Sequence, residues 1–289
     1  MEYPVVIGER FSWYNEVVRE RPEVHQPHDK GFKSLLTSKR VFLELLRTFV
    51  SQRWVESLSE SNLTRVDKSF VTANFQGAES DLVFEATLSS GRRAEDARLY
   101  YFVLLELQSA SNQLMPFRIL VYQCELLRDV VKNAGKEAHR NSFRLPVILP
   151  IVLYNGKEPW NVPLRYRDKT TNVPDVEGTL DFSYILIDVH QFDKQQLLEQ
   201  GNLISGVFAL EQAADVNEMA AVLHHMTSTL QGLADAEWDS FINWARRILT
   251  RGMPKPEREL VDRIISHSKR EEAKQMISNL EEMLRRSFE

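Results

Sequence analysis

The chain has 289 residues with a formal net charge of −5; 43% are hydrophobic and 27% charged. That length allows one large domain or two smaller ones, with a core that needs no covalent staples. A single cysteine, Cys124, excludes an internal disulfide and argues against a cysteine-based zinc site, while the acidic balance argues against nonspecific coating of nucleic acid.

Met1 to Arg10 carries no apolar run after a basic start, so no signal peptide is expected. The longest apolar runs, 99–107 and 145–154, are strand-sized and too short to cross a membrane. These features, with no disulfide, predict a cytoplasmic protein without a membrane partner.

Residues 1–27 set Phe11, Trp13 and Tyr14 among polar residues and end in prolines, which predicts a short helix and then an extended arm. Ser38 suits a helix N-cap, and Val41, Phe42, Leu45, Leu46 and Phe49 follow at helical spacing. Glu44, in mid-helix, reads as a surface salt-bridge partner. Residues 62–88 read as extended, with a strand over 81–88, and Ser89–Arg92 is turn chemistry. Residues 99–108 are apolar until their end, the pattern of a central strand covered on both faces.

A loop over 109–113 leads into a helix over 115–133, with Phe117, Leu120, Cys124, Leu127 and Val131 predicted along its buried face. Cys124 is therefore expected to be a buried, inert thiol. Gly135 is the predicted stop. Residues 145–154 form a third long strand ended by Asn155 and Gly156, 156–180 read as loop, and 184–189 as a fourth strand. From residue 195 the period is helical, broken at Met253-Pro254-Lys255-Pro256 and resuming as an amphipathic helix or helix pair from Glu257 to Ser287. Three regions follow: an arm at 1–27, an α/β core at 28–192 and an all-helical C-terminal region at 193–289.

The candidate chemistry sits where apolar strands end in acids. Glu106 and Gln108 are two apart on one strand and share a face. A hairpin folded about Arg93 and Ala94 pairs residues whose numbers add to about 187, which sets Asp81 opposite Glu106. Two adjacent carboxylates repel unless a cation lies between them. Oxygen ligands suit Mg²⁺, with Mn²⁺ as a substitute. Such a metal polarises a phosphodiester and activates water. Gln108 would orient that water or a phosphate oxygen, but it cannot neutralise charge.

These segments resemble the PD-(D/E)XK nuclease superfamily. Within it they are similar to the recombination-promoting nucleases, also described as YhgA-like putative transposases. The resemblance rests on His28-Asp29-Lys30-Gly31-Phe32-Lys33, Ser80-Asp81-Leu82, Leu104-Leu105-Glu106-Leu107-Gln108-Ser109, Met115-Pro116-Phe117-Arg118 with Tyr122, and the stretches Leu145-Pro146-Val147 and Val152-Leu153-Tyr154-Asn155-Gly156. It implies a restriction-endonuclease-like mixed sheet flanked by helices. It also implies a metal held by Asp81, Glu106 and the Leu107 backbone carbonyl, with Gln108 where the superfamily has lysine.

Four further residues are accessory candidates. Asp29 is either an extra acid near the metal or a helix cap, and Lys33 either a phosphate contact or a solvated cation. Arg118 and Tyr122, one turn apart, either contact phosphate and shape the site or are a surface cation and a core-edge tyrosine. Arg128, Lys132, Lys136, Arg140 and Arg144 could bind a DNA backbone, but a solvated helix face is the commoner explanation of such a run. His190, His224 and His225 lack metal-ligand spacing. No nucleophile-elbow or phosphate-loop pattern is present. The predicted function is a metal-dependent DNA endonuclease linked to recombination or mobile elements. The alternative is a catalytically silent nuclease-fold protein acting as a binding module, or as a homo-oligomer held through the apolar stripe from Leu260 to Leu284.

Overall fold

The computed structural model describes residues 27–66, 82–88, 97–106, 111–171, 179–250 and 253–288. Expectations for the 1–26 arm and the 89–92 turn lie outside them. The sheet has five strands in the order β1-β2-β3-β4-β5: β1 Leu63–Arg65, β2 Leu82–Leu88, β3 Ala97–Glu106, β4 Val147–Tyr154 and β5 Ile185–Asp188. β1, β2 and β3 run antiparallel, whereas β3, β4 and β5 are parallel, so the sheet is mixed and β3 is central. The parallel step from β3 to β4 requires a crossover, and helix α3 (Met115–Ala134) supplies it. Both edge strands are short, which limits pairing with other chains.

Alternation along the strands splits the core into two layers. Leu82, Phe84, Ala86, Ile151, Leu153 and Ile187 pack on one face. On that face lie α1 (Pro27–Leu36) and α2 (Lys39–Phe49) with the C-terminal helices α4 (Lys194–Glu199), α5 (Leu203–Glu211), α6 (Val216–His225), α7 (Thr227–Gln231), α8 (Asp235–Leu249), α9 (Lys255–Ser266) and α10 (Ala273–Phe288). Val83, Val152 and Tyr184 pack on the other face, under α3.

Local chemistry explains the boundaries. The Ser38 hydroxyl accepts the Val41 N–H and caps α2, whose Val41, Phe42, Leu45 and Leu46 are buried as their spacing predicts. Pro116 sits in the first turn of α3, where its missing N–H costs no helix bond, and Gly135 ends the helix at φ 54°. Pro150 lies inside β4, yet the β4–β5 ladder starts one residue later, at Ile151.

Three expectations are corrected. The buried side of α3 is Met115, Ile119, Tyr122 and Leu126, about 160° around the helix from the predicted stripe. Cys124 and Val131 on that stripe are exposed, so Cys124 is no buried thiol. The β2–β3 partners add to 185, as in Leu82↔Val103, two less than the hairpin about Arg93 and Ala94 requires. Finally, α9 and α10 turn Val261, Ile265, Met276, Ile277, Leu280 and Met283 into the chain's own core, leaving Leu260 exposed. The stripe meant to carry a homo-oligomer is used within the chain.

That core crosses the predicted boundary between residues 192 and 193. Phe32 in α1 meets Phe208 in α5 at 6.2 Å and Trp244 in α8 edge-on at 5.9 Å between ring centroids. Ser34 donates to Ser240 at 3.2 Å.

Candidate functional site

The parallel strands bring three chain positions into one row. Glu106, the last residue of β3, is in register with Tyr154 of β4, and Tyr154 with Asp188 of β5. Each of these residues closes its strand, and α3 starts at Met115, nine residues after Glu106. In open α/β sheets, the crevice beyond the carboxyl ends of parallel strands is the usual ligand site.

Of the predicted site residues, Asp81, Leu107 and Gln108 lie outside the described residues, and Glu106 is placed by its backbone. Tyr122 is buried among Val83, Met115, Ile119 and Val152, and Arg118, one turn earlier, is half-buried. Asp29 and Lys33 belong to α1, which packs on the opposite face of the sheet from α3. The structure therefore separates these accessory candidates into two pairs. Glu44 is more than a surface partner. It is half-buried, accepts the Leu203 N–H at 3.1 Å and lies 3.5 Å from Arg40.

Asp188 was not singled out in the sequence, although it ends an apolar strand as Glu106 does. It is buried, and burial raises its carboxyl above the ordinary range. The His190 and Trp160 backbone donors and the Gln191 side chain oppose that rise. The carboxylate accepts the His190 N–H at 3.1 Å and so caps the short turn after β5. It ties strand end to loop.

An aromatic group fixes the loop after β4. The Tyr154 hydroxyl donates to the Glu158 carbonyl at 2.7 Å, and its ring meets Trp160 edge-on at 4.9 Å. The Trp160 indole N–H donates to the Tyr184 hydroxyl at 3.2 Å, which donates to the Pro163 carbonyl at 3.0 Å. Burial pushes the Tyr184 phenol up to about 12, against the pull of the Trp160 bond. Gln113, just before α3, donates to Asn161 at 2.8 Å, and Ser111 also bonds Asn161. These bonds stitch the segment that leaves β3 to the loop that leaves β4.

Among the described residues no three histidine, cysteine or acidic side chains converge as a metal cluster. Among the described residues, Asn155 Oδ1, buried directly after Tyr154, has no hydrogen-bond partner. It is a hard oxygen of the kind that a cation or an ordered water satisfies. No helix among the described residues is long and apolar enough to cross a membrane.

No curated protein and no solved structure matches the chain. Residues 26–240 match the family described as putative transposase, YhgA-like. The match opens at α1, spans the whole sheet and ends inside α8, across the predicted boundary at 192. The chain belongs to this YhgA-like family.

Proposed function

We propose that the protein is a metal-dependent DNA endonuclease of the PD-(D/E)XK kind, acting in recombination or mobile-element biology. The observation that carries this reading is the position of Glu106. It closes the central strand of a mixed five-stranded sheet, level with Tyr154 and the buried Asp188, where a crossover helix begins. The family's description supports the mobile-element link.

In this reading Asp81, Glu106 and the Leu107 carbonyl hold Mg²⁺, or Mn²⁺ in its place. The donors are all oxygen, as such ions prefer. The described β2–β3 ladder begins at Leu82↔Val103, with Leu82 next to position 81 in the chain, and β3 runs on to Glu106. The metal would supply a Lewis acid and an activated water. Gln108 would orient that water or a phosphate oxygen. The buried Tyr122 would hold α3 against the sheet beside the site.

The test is cutting of supercoiled plasmid with Mg²⁺ and with EDTA, by the wild-type protein, Asp81→Ala and Glu106→Ala. Nicking that needs metal and falls at least about 100-fold in both variants supports the assignment. Equal cutting by all three removes it. No cutting by any of them in Mg²⁺ or Mn²⁺ leaves a silent nuclease-fold binding module as the reading.

A further inference from the structure

We propose that the turn Arg165–Lys169, at the edge of the sheet beside the residues that enter β5, docks the sugar-phosphate backbone of duplex DNA. The choice of DNA as ligand rests on the nuclease reading, whereas the placement of the turn does not. The chain is acidic overall, yet this turn and the residues before it carry Lys157, Arg165, Arg167 and Lys169 against Glu158, Asp168 and the Asp181 that pairs with Arg165. Duplex DNA presents about one negative charge per 1.7 Å of axis, so a local cation cluster is what it selects.

The turn is built to hold a cation still. Residues 166–169 form a 3-10 turn, in which side chains three apart lie on one side. Tyr166 is half-buried, and Lys169, three residues on, is exposed. The Tyr166 ring stacks on Phe182 at 5.3 Å, and its N–H donates to the Phe182 carbonyl at 2.9 Å. Lys169 donates to Gln113 at 3.3 Å. Arg165 is held by Asp181 at 2.8 Å, and that bond draws the Asp181 carboxyl below its ordinary range. Arg167 is exposed. An arginine on an anchored turn offers a fork of donors to a phosphate at little cost in ordering.

Position completes the argument. Gln113 lies a few residues after Glu106 and touches both Asn161 and Lys169. The basic turn is therefore fastened through Gln113 to the segment that leads from β3 into α3, and through the Arg165–Ser183 bridge to the residues that enter β5.

The test uses the full chain, a fluorescein-labelled 20-base-pair DNA duplex, EDTA and a series of KCl concentrations, read by fluorescence anisotropy. Arg167→Glu should weaken binding roughly tenfold and lower the salt slope by about one. Arg167→Lys should restore most of it. Lys136→Glu, the same charge change beyond the far end of α3, should stay within about twofold. Arg167→Gln repeats the test without charge reversal if Arg167→Glu lowers the melting temperature. The proposal is overturned if the two reversals weaken binding equally, if Arg167→Glu leaves it unchanged, or if the wild-type protein binds no duplex. It is also overturned if only an RNA duplex of the same sequence responds. Plasmid cutting separates the readings. Cutting lost in Glu106→Ala with Arg167→Glu binding intact removes the turn and keeps the nuclease. No cutting, with Arg167→Glu binding weakened, does the reverse.

Discussion

Glu44 Oε2 accepts the backbone N–H of Leu203 at 3.1 Å, so a carboxylate in mid-α2 caps the first turn of α5. Arg40 joins Glu44 to Glu237, which accepts from the Ser38 hydroxyl at 3.0 Å and the Ala234 N–H at 3.1 Å. Glu44→Ala removes the acceptor and strands a half-buried N–H. It should lower unfolding free energy by about 1–3 kcal/mol in a urea titration.

The same carboxylate sets a pH dependence. Burial raises its pKa from 4.5, against the lowering by Arg40 and the Leu203 N–H. The folded state thus holds the proton more tightly than the unfolded chain. This contribution to stability is full below the ordinary value and is lost as pH rises through the raised one. Glu44→Gln cannot ionise, so its stability relative to wild type should grow between about pH 4 and pH 7. A difference that shrinks over that interval would refute the assignment.

Gly31 leaves no room for a side chain. A Cβ there would lie 2.9 Å from Trp244 Cδ1, and that ring is buried and wedged against Phe32 and Phe241. Alanine in place of glycine normally gains up to about 1 kcal/mol in a helix. Here the clash should outweigh that gain, for a net loss of about 1–2 kcal/mol. A Gly31→Ala protein that melts higher than wild type counts against this packing.

Gly156 meets Tyr154 in the same way. A Cβ at position 156 would overlap the hydroxyl end of the buried ring. Gly156→Ala should break the bond from Tyr154 to the Glu158 carbonyl and free the loop that carries Trp160. Faster amide exchange over 158–165 and a changed near-ultraviolet circular dichroism signal are the expected readouts.

Cys124 faces solvent. One thiol per chain should react with a disulfide reagent in native buffer, without denaturant. Cys124→Ser should shift stability by less than about 0.5 kcal/mol, as at other exposed sites. A thiol that reacts only on unfolding would restore the buried assignment.

A chain ending at residue 192 should fail to unfold cooperatively. It keeps the sheet but loses α4 to α10, which cover Phe32, Leu36, Phe42 and Leu46. A sharp thermal transition for that fragment would mean that the sheet folds alone.

Strands and capped helices were legible because they rest on local signals: apolar runs for β3 and β4, Ser38 for α2, Gly135 for the end of α3. What failed depended on distant partners. α3 has apolar residues on two sides, with Phe117, Leu120 and Leu127 roughly opposite Ile119 and Leu126, so periodicity alone cannot choose the side that meets the sheet. α1 carries Gly31 and packs against Trp244 in α8, a partner more than two hundred residues away. The β2–β3 register differs by two from the one the sequence suggests, because a shift of two leaves every side chain on its own face and alternation therefore cannot reveal it. Glu106 is legible as an acid that ends a long apolar run, and Asp188 carries the same signal at the end of a shorter one.

The pairing of Ser34 with Ser240, 206 positions apart, also constrains how the chain is made. Synthesis proceeds at about 5–20 residues per second, so α1 waits on the order of 10–40 s on the ribosome before α8 emerges to cover it. During that interval Phe32, Leu35 and Leu36 have no native cover from α8. The nascent chain therefore exposes the apolar side of α1 throughout that interval, a surface of the kind that chaperones shield during synthesis.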